Sequence, residues 1–158
     1  MGIKVGISRC LLGDQVRFDA GHKHDHLLTD VLSKYFEWVP VCPEVEIGMT
    51  TPREPVRLVL ENDVVRMRGI ETQTDWTDQM LKYSREKALH IKDLGISGYI
   101  FKSKSPSCGL FGVRGLFAST FCDLAPSIPV EEDERLHIQK FREDFITRVF
   151  AYHAAHSA

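Results

Sequence analysis

The pattern of apolar and polar residues along the chain predicts strands and helices in alternation. Four short apolar runs bounded by turn-forming residues predict buried strands, and they lie at 3–12, 38–42, 98–102 and 128–130. Four segments with apolar residues at three- and four-residue spacing predict helices, at 26–36, 75–94, 116–124 and 134–153. Residues 56–67 predict a hairpin, and a threonine three positions before an acidic residue at 72–75 predicts the start of the second helix. The alternation predicts an α/β domain with a largely parallel sheet flanked by helices.

Length and charge add expectations to this picture. The 158 residues suit a single domain, which we place at 1–152 with a tail at 153–158. A net charge of -2 gives no sign that the whole surface binds a polyanion. The first residues lack the apolar core of a signal peptide, and no run of about eighteen apolar residues is present to span a membrane. We therefore expect a cytoplasmic protein with no membrane association.

The four cysteines are the first candidates for chemistry. The reducing cytosol disfavours structural disulfides, and the sequence contains no CxxC pair of the kind common in zinc sites. Cys10, Cys42 and Cys108 fall at or just after the ends of three predicted strands. Because the carboxyl ends of parallel strands share one edge, where ligands bind, these thiols can meet although 32 and 66 residues separate them. Cys122 lies in a predicted helix, which is typical of an inert buried thiol.

Two interpretations of the three strand-end cysteines stay open at this point. Three thiolates around one point suit an iron–sulfur cluster, zinc or copper(I). Alternatively, each cysteine is simply a small apolar residue, since free cysteine is among the most buried residue types. Spacing alone does not separate the two. The proline and glycine flanks slightly favour a site, because turns at strand ends expose amides that can hydrogen-bond cluster sulfurs.

Three polar segments offer weaker candidates. The run His22-Lys23-His24-Asp25-His26 resembles a signature of dinuclear metallohydrolases with one residue missing, and we favour a solvated loop whose Asp25 caps the next helix. Arg53, in a proline-stiffened loop, could bind an anionic or carbonyl group, or pair with Glu46 or Glu54. The acidic run at 131–134 is expected to be a solvated helix start.

Five strings of the sequence together resemble the TudS-like thiouracil desulfidases, long catalogued as a domain of unknown function. They cover nearly the whole chain in the family's order: SRCLLG (8–13), RFDAGHK (17–23), VCPE (41–44), TPREP (51–55) and KSKSPSCG (102–109). The resemblance implies a [4Fe-4S] cluster bound by Cys10, Cys42 and Cys108, with the fourth iron open to a substrate sulfur. Arg9 departs from the family pattern, which has a small residue before the first ligand.

The resemblance also implies roles for residues beside the ligands. Glu44 would handle the proton of an attacking water, and Ser107 would relay protons or donate hydrogen bonds. Asp19, Lys23 and Arg53 are further candidates for the substrate pocket. The implied enzyme removes sulfur from a thiolated pyrimidine, thiouracil or 4-thiouridine, by hydrolysis without net electron transfer, and releases hydrosulfide.

Four segments look closer to the two-domain relatives, in which a carboxy-terminal domain follows and the implied substrate is 4-thiouridine in tRNA. They are GIETQTDWTDQM, GYIFKSKSPSCG, LFAST and FREDFITRVFAY. A role in tRNA modification, with a missing or separate tRNA-binding domain as partner, is therefore expected. Two alternatives remain: a hydrolase that uses Cys108 as nucleophile with a histidine, and a non-catalytic iron–sulfur or zinc binding module.

Overall fold

The computed structural model describes residues 2–111 and 114–156, which form six strands and six α-helices. The strands are β1 (Ile3–Ser8), β2 (Phe36–Val41), β3 (Val56–Glu61), β4 (Val64–Gly69), β5 (Gly98–Phe101) and β6 (Val130–Glu132). The helices are α1 (His26–Val31), α2 (Pro43–Glu46), α3 (Thr77–Asp93), α4 (Leu116–Leu124), α5 (Asp133–Leu136) and α6 (Gln139–His156). Two 3-10 turns, at Arg9–Leu12 and Leu32–Lys34, follow β1 and α1.

Four of the strands form one parallel sheet in the order β2-β1-β5-β6. Strand β1 lies between β2 and β5, with Ile3 opposite Phe36 and Val5 opposite Gly98. Strands β3 and β4 form a separate antiparallel hairpin, as the sequence predicts. The predicted fold class, an α/β domain with a largely parallel sheet flanked by helices, is confirmed.

Each face of the parallel sheet carries its own apolar core. Successive residues of a strand point to opposite faces, and in β5 Tyr99 and Phe101 join one core whereas Ile100 joins the other. The first core is completed mainly by α3 and α4, and the second by α1 and α6. Full burial of one such side chain contributes about 1.5 to 3 kcal/mol, so both cores stabilise the sheet that carries the cysteines.

Several predicted boundaries are wrong by a few residues. Strand β1 ends at Ser8, so Cys10 lies in the following 3-10 turn and not in the strand. The first helix ends at Val31, because a 3-10 turn closed by the hydrogen bond from Tyr35 N to Leu32 O reverses the chain before β2. Strand β6 begins two residues later than predicted. The last predicted helix is two helices separated by residues 137–138, and α6 continues into the range placed in the tail.

The start of α3 also differs from the predicted capping arrangement. Thr72 donates its hydroxyl hydrogen bond to Glu54, not to the helix. Asp75 Oδ1 instead accepts from the Thr77 N–H at 3.0 Å and from the Thr77 hydroxyl at 2.6 Å. The Thr77 hydroxyl in turn accepts from Met67 N at 2.7 Å. This chain of bonds ties β4 to the first residue of α3 and explains why the helix begins at Thr77.

Candidate active site

A cavity of about 480 Å³ opens at the carboxyl edge of the parallel sheet, beyond the ends of β1, β2 and β5. Cys10, Cys42 and Cys108 all line it, together with Glu44 and Ser107. The three cysteines predicted to converge are therefore brought to one place. Cys122 lies on α4 and is not among the residues that line the cavity.

Cys10 and Cys42 are each held by the turn that ends their strand. The carbonyl of Cys10 accepts from Gly13 N at 3.2 Å and from Lys23 N at 3.0 Å. Gly13 has a φ of +95°, which favours glycine and ends the turn. Cys42 is the N-cap of α2, with Pro43 at the first helical position, where a proline is favoured. Both thiols thus sit on short, hydrogen-bonded segments.

Cys108 lies in a tight turn after β5 and is 4% exposed. The Ser105 hydroxyl accepts from the backbone N–H groups of Ser107 and Cys108, at 3.2 and 3.0 Å. The start of α4 packs directly on this turn, since a Cβ at Gly115 would lie 2.3 Å from the carbonyl carbon of Ser107. Only glycine therefore fits at position 115.

Acidic residues at the end of β6 and the start of α5 hold the Cys108 turn from the other side. Glu132 Oε2 accepts from Leu110 N at 2.7 Å, and Asp133 Oδ1 accepts from Ser103 N at 2.7 Å. The expectation of a solvated acidic run is wrong, because Glu131, Glu132 and Asp133 are all buried. These anchors were missed in the sequence because β6 ends two residues later than predicted, which brings its last residues to the carboxyl edge of the sheet.

The three thiols are neutral on their own. Burial raises the pKa of Cys10 to about 11, although the nearby Lys102 ammonium opposes the rise. Burial also raises the pKa of Cys108 well above its ordinary value, against a hydrogen bond with the Ser8 hydroxyl. Burial raises the pKa of Cys42 as well, against the backbone N–H of Val45. Thiols in this state lose their protons when they coordinate a metal, so a metal centre suits this environment.

Glu44, Ser107 and Arg53 form one hydrogen-bonded group beside the thiols. Ser107 Oγ donates to Glu44 Oε2 at 3.0 Å, across 63 residues of sequence. Arg53 donates to Glu44 Oε1 from Nε at 3.1 Å and from Nη2 at 3.0 Å. The three residues singled out in the sequence are thus in direct contact, and the alternative pairing of Arg53 with Glu46 or Glu54 is not seen. Glu46 pairs with Lys87, and Glu54 accepts from Thr72.

Cationic side chains outnumber anionic ones around the cavity. The lysines and arginines in its lining are Arg9, Arg17, Lys23, Arg53, Lys102 and Lys104, against Glu44 and Glu134. Most are paired, and Arg9 binds Asp14 at 3.1 Å. Lys23 is exposed and has no ion-pair partner within the described parts of the chain. Asp19 is not in the lining; it faces Arg17 at 3.7 Å and accepts from Gly21 N at 2.9 Å.

The histidine-rich segment lies outside the cavity lining except for Lys23, and its His24 and His26 line a second, open cavity. Asp25 caps α1 by accepting from Leu28 N at 3.3 Å, as expected, and its other oxygen contacts His137 Nε2 at 2.7 Å. The rings of His24 and His26 stack with centroids 4.0 Å apart. Within residues 2–111 and 114–156, no group of three His, Cys, Asp or Glu side chains is placed to hold a single metal ion.

The fold places three thiols and the largely buried Glu44–Ser107 pair at one edge of the sheet, as expected of an α/β enzyme with a thiol-lined active site. The family model for 2-thiouracil desulfurase matches residues 5–133 of the chain. The chain belongs to this enzyme family, and the recognition made from the sequence motifs is confirmed.

Two individual proteins are also similar. The uncharacterised protein YbbK of Bacillus subtilis (strain 168) is 29% identical over 108 residues, which is 65% of this chain and 71% of YbbK. The solved structure of the [4Fe-4S]-dependent thiouracil desulfidase TudS superposes with a TM-score of 0.68 at 25% identity. The alignment covers 90% of this chain and 98% of that one.

Proposed function

We propose that this chain is a [4Fe-4S]-dependent desulfidase that removes sulfur from a thiolated pyrimidine by hydrolysis. The observation that carries the proposal is the convergence of Cys10, Cys42 and Cys108 on one cavity that also contains the bonded pair Glu44 and Ser107. The family, named for 2-thiouracil desulfuration, and the similarity to an iron–sulfur desulfidase point in the same direction.

The donor set fits an iron–sulfur cluster. Thiolates are the ligands that clusters use, and each would bind a different iron. A single zinc ion, with metal–sulfur bonds of about 2.3 Å, needs its ligands much closer together. Among the described residues, no group of three His, Cys, Asp or Glu side chains is placed to hold a single ion. Cys10, Cys42 and Cys108 would hold the cluster, and an iron left without a protein ligand would supply Lewis-acid chemistry toward a thiocarbonyl sulfur.

The reaction needs a proton acceptor for water, and Glu44 supplies one. The oxygen of water bonds to the ring carbon, the carbon–sulfur bond breaks with its electron pair on sulfur, and hydrosulfide is released. No electron is gained or lost by the protein. Glu44 Oε2, which already accepts from Ser107 Oγ at 3.0 Å, takes one proton from water and passes it through the Ser107 hydroxyl to the departing sulfur. The second water proton is released to solvent as the carbonyl forms.

The cationic rim supports a substrate with an anionic group. Lys23, which has no ion-pair partner among the described residues, lies in the lining of this cavity, where lysines and arginines outnumber carboxylates. A phosphate attached to a thiolated nucleoside would find a counter-charge there. This favours a thiouridine nucleotide, including 4-thiouridine in tRNA with a separate tRNA-binding domain, over an unsubstituted base.

The alternative of a Cys108 nucleophile has less support. A nucleophilic cysteine acts as the thiolate and has a lowered pKa, whereas burial raises the pKa of Cys108. A non-catalytic binding module does not account for the Glu44–Ser107 pair beside the thiols.

The setting of the protein is consistent with a reduced cluster enzyme. All four cysteines are free, which suits a reducing compartment such as the cytoplasm. Among the described residues, no helix has both the length and the apolar composition to cross a membrane.

Anaerobic purification followed by iron and sulfide analysis tests the proposal. The reconstituted protein should bind about four irons and four sulfides per chain, as a [4Fe-4S] cluster requires. It should then convert 2-thiouracil, 4-thiouracil or 4-thiouridine monophosphate and release one sulfide per product. The loss of the thiocarbonyl absorbance measures this conversion. A protein that stays colourless and iron-free after reconstitution would refute the cluster, and a loaded protein that releases no sulfide from any of these substrates would refute the activity.

A further inference from the structure

All the N–H donors of the Arg53 guanidinium are used inside the protein. Its Nε donates to Glu44 Oε1, and its Nη2 donates to the same oxygen and to Val16 O at 2.8 Å. Its Nη1 donates to Thr50 O at 3.0 Å and to the Thr51 hydroxyl at 3.2 Å. A guanidinium has five N–H groups, and these contacts engage five. No donor is left to bind a substrate group.

The bonds to Glu44 are divided between its two oxygens in a definite way. Oε1 accepts both bonds from Arg53, and Oε2 accepts the bond from Ser107. The Arg53 and Glu44 side chains are only 8% and 14% exposed, so solvent screens this pair weakly. A glutamate has three rotatable side-chain bonds, and the carboxylate is held at both ends, because two donors of Arg53 converge on Oε1 while Ser107 binds Oε2.

Arg53 also links Glu44 to the wall of the cavity. Its backbone N–H donates to Phe18 O at 2.6 Å, and its side chain binds Val16 O. Val16 and Phe18 line the cavity on the loop before α1. The same residue therefore sets both the position of this loop and the orientation of the carboxylate.

We infer that Arg53 is a positioning residue for Glu44 and not a ligand of the substrate. By binding Oε1, it reserves Oε2 for Ser107 and for the attacking water. This inference rests on the proposed proton-transfer role of Glu44. It predicts that loss of Arg53 lowers kcat through a misplaced carboxylate, while substrate binding is retained.

The test compares R53Q, R53K, E44Q and the double variant R53Q/E44Q, with R68Q as matched control. Arg68 forms the same kind of pair with Glu61 and also binds a backbone carbonyl, that of Gln73, but it lies on the hairpin outside the cavity lining. We expect R53Q to lower kcat by about 10- to 100-fold with KM changed less than about threefold, since small misplacements of catalytic groups cost rates of this size. R53K should recover part of kcat, because an ammonium can still bind Oε1. R68Q should keep both constants.

Two further measurements separate positioning from a general structural role. In the E44Q background, R53Q should lower kcat by less than about threefold, because the carboxylate it positions is already gone. In the apoprotein, R53Q should lower the melting temperature less in the E44Q background than in the wild-type background. This difference reports the Arg53–Glu44 contact without the cluster. If R53Q does not fold, R53K and R53K/E44Q give the same comparison.

Several outcomes would overturn the inference. A KM raised more than about tenfold with kcat unchanged would make Arg53 a substrate ligand. If the losses of kcat in R53Q and E44Q multiply in the double variant, Arg53 does not act through Glu44. The same conclusion follows if folded R53Q, measured below its melting temperature, keeps the wild-type kcat. Failure of the proposed function would look different. If E44Q keeps the wild-type kcat, Glu44 has no catalytic role, yet the Arg53–Glu44 contact can still be measured from the melting temperatures of the apoproteins.

Discussion

Two arginine–glutamate pairs in different regions of the molecule show how context decides what an ion pair does. On the hairpin, Arg68 binds Glu61 with side chains 26% and 39% exposed, next to a further carboxylate, Asp75. At the cavity, Arg53 binds Glu44 with most of both side chains buried. The second pair differs in what lies beyond it, because Glu44 also binds Ser107 and lines a cavity with three thiols.

The presence of an arginine–glutamate pair alone therefore says little about its contribution to stability or to function. Exposed pairs contribute about 0 to 1 kcal/mol to stability, and a buried pair is weak evidence of stability because its charges have lost water. The hairpin pair therefore ties two strands together, at most modestly. The cavity pair is largely buried beside three thiols, where a fixed carboxylate orientation would serve the proton transfer that we propose for Glu44.

The largest effect should come from the three thiols, which the cavity region has and the hairpin lacks. Replacing Cys10, Cys42 or Cys108 singly with alanine should abolish the cluster and with it all activity, since each removes one of three protein ligands. Visible absorbance and iron content after anaerobic reconstitution measure this. C122A is the control and should keep both, because Cys122 lies on α4 outside the cavity lining. A cluster that survives C42A intact would show that the ligand set is wrong.

The next largest effect should come from the carboxylate of the cavity pair. E44Q keeps the shape of the side chain and removes the proton acceptor, so kcat should fall by about 100-fold or more, the scale of general base catalysis. The iron content should stay at the wild-type level. E61Q, the same change in the hairpin pair, should leave kcat unchanged, and an equal loss in both variants would erase the distinction between the regions.

Loss of the hydroxyl that contacts Glu44 should have a smaller effect. S107A removes the hydrogen bond to Glu44 Oε2 and leaves the carboxylate in place, so kcat should fall by about 10- to 100-fold, less than in E44Q. Steady-state rates with saturating substrate measure this, with S105A unsuitable as control because Ser105 holds the turn itself. If S107A retains the full rate, Ser107 only shapes the turn.

The smallest effect should appear at the hairpin and in stability alone. Hydrogen bonds from Thr77, with help from Arg66 and Arg68, lower the pKa of Asp75 below its ordinary value of 3.8. D75N should therefore cost about 1 kcal/mol at neutral pH, the size of a charge-assisted hydrogen bond at a partly exposed site. A group with a lowered pKa stabilises the fold above its unfolded pKa, so the difference from wild type should vanish as pH falls through the folded pKa, below about 3.8. Thermal unfolding between pH 7 and pH 3 checks the sign.

The convergence of the cysteines could be predicted from the sequence because it depends on topology. Once strands alternate with helices, the ends of β1, β2 and β5 share one edge whatever the details of packing, and Cys10, Cys42 and Cys108 follow those ends. The cofactor and the roles of Glu44 and Ser107 come from the motif resemblance, and these roles stay predictions. The direct contact of these two residues, 63 positions apart, is a fact of the folded chain.

Other features depended on details that a sequence pattern does not carry. A two-residue error in the end of β6 hid Glu132 and Asp133 as buried anchors of the Cys108 turn. The full set of Arg53 contacts requires Val16, which is 37 residues away on a loop without periodicity, to approach the guanidinium. The conformation of such loops depends on single hydrogen bonds between distant residues, and these bonds cannot be read from the local sequence pattern.

The separation of the three cysteines along the chain makes the cavity a reporter of folding. Each thiol belongs to a different segment, and no peptide cut from one segment contains more than one wall of the cavity. Cys108, almost fully covered, becomes accessible to a thiol reagent only when the sheet edge opens. In the apoprotein, the rate at which Cys108 is labelled thus reports that opening, and no engineered cysteine is needed.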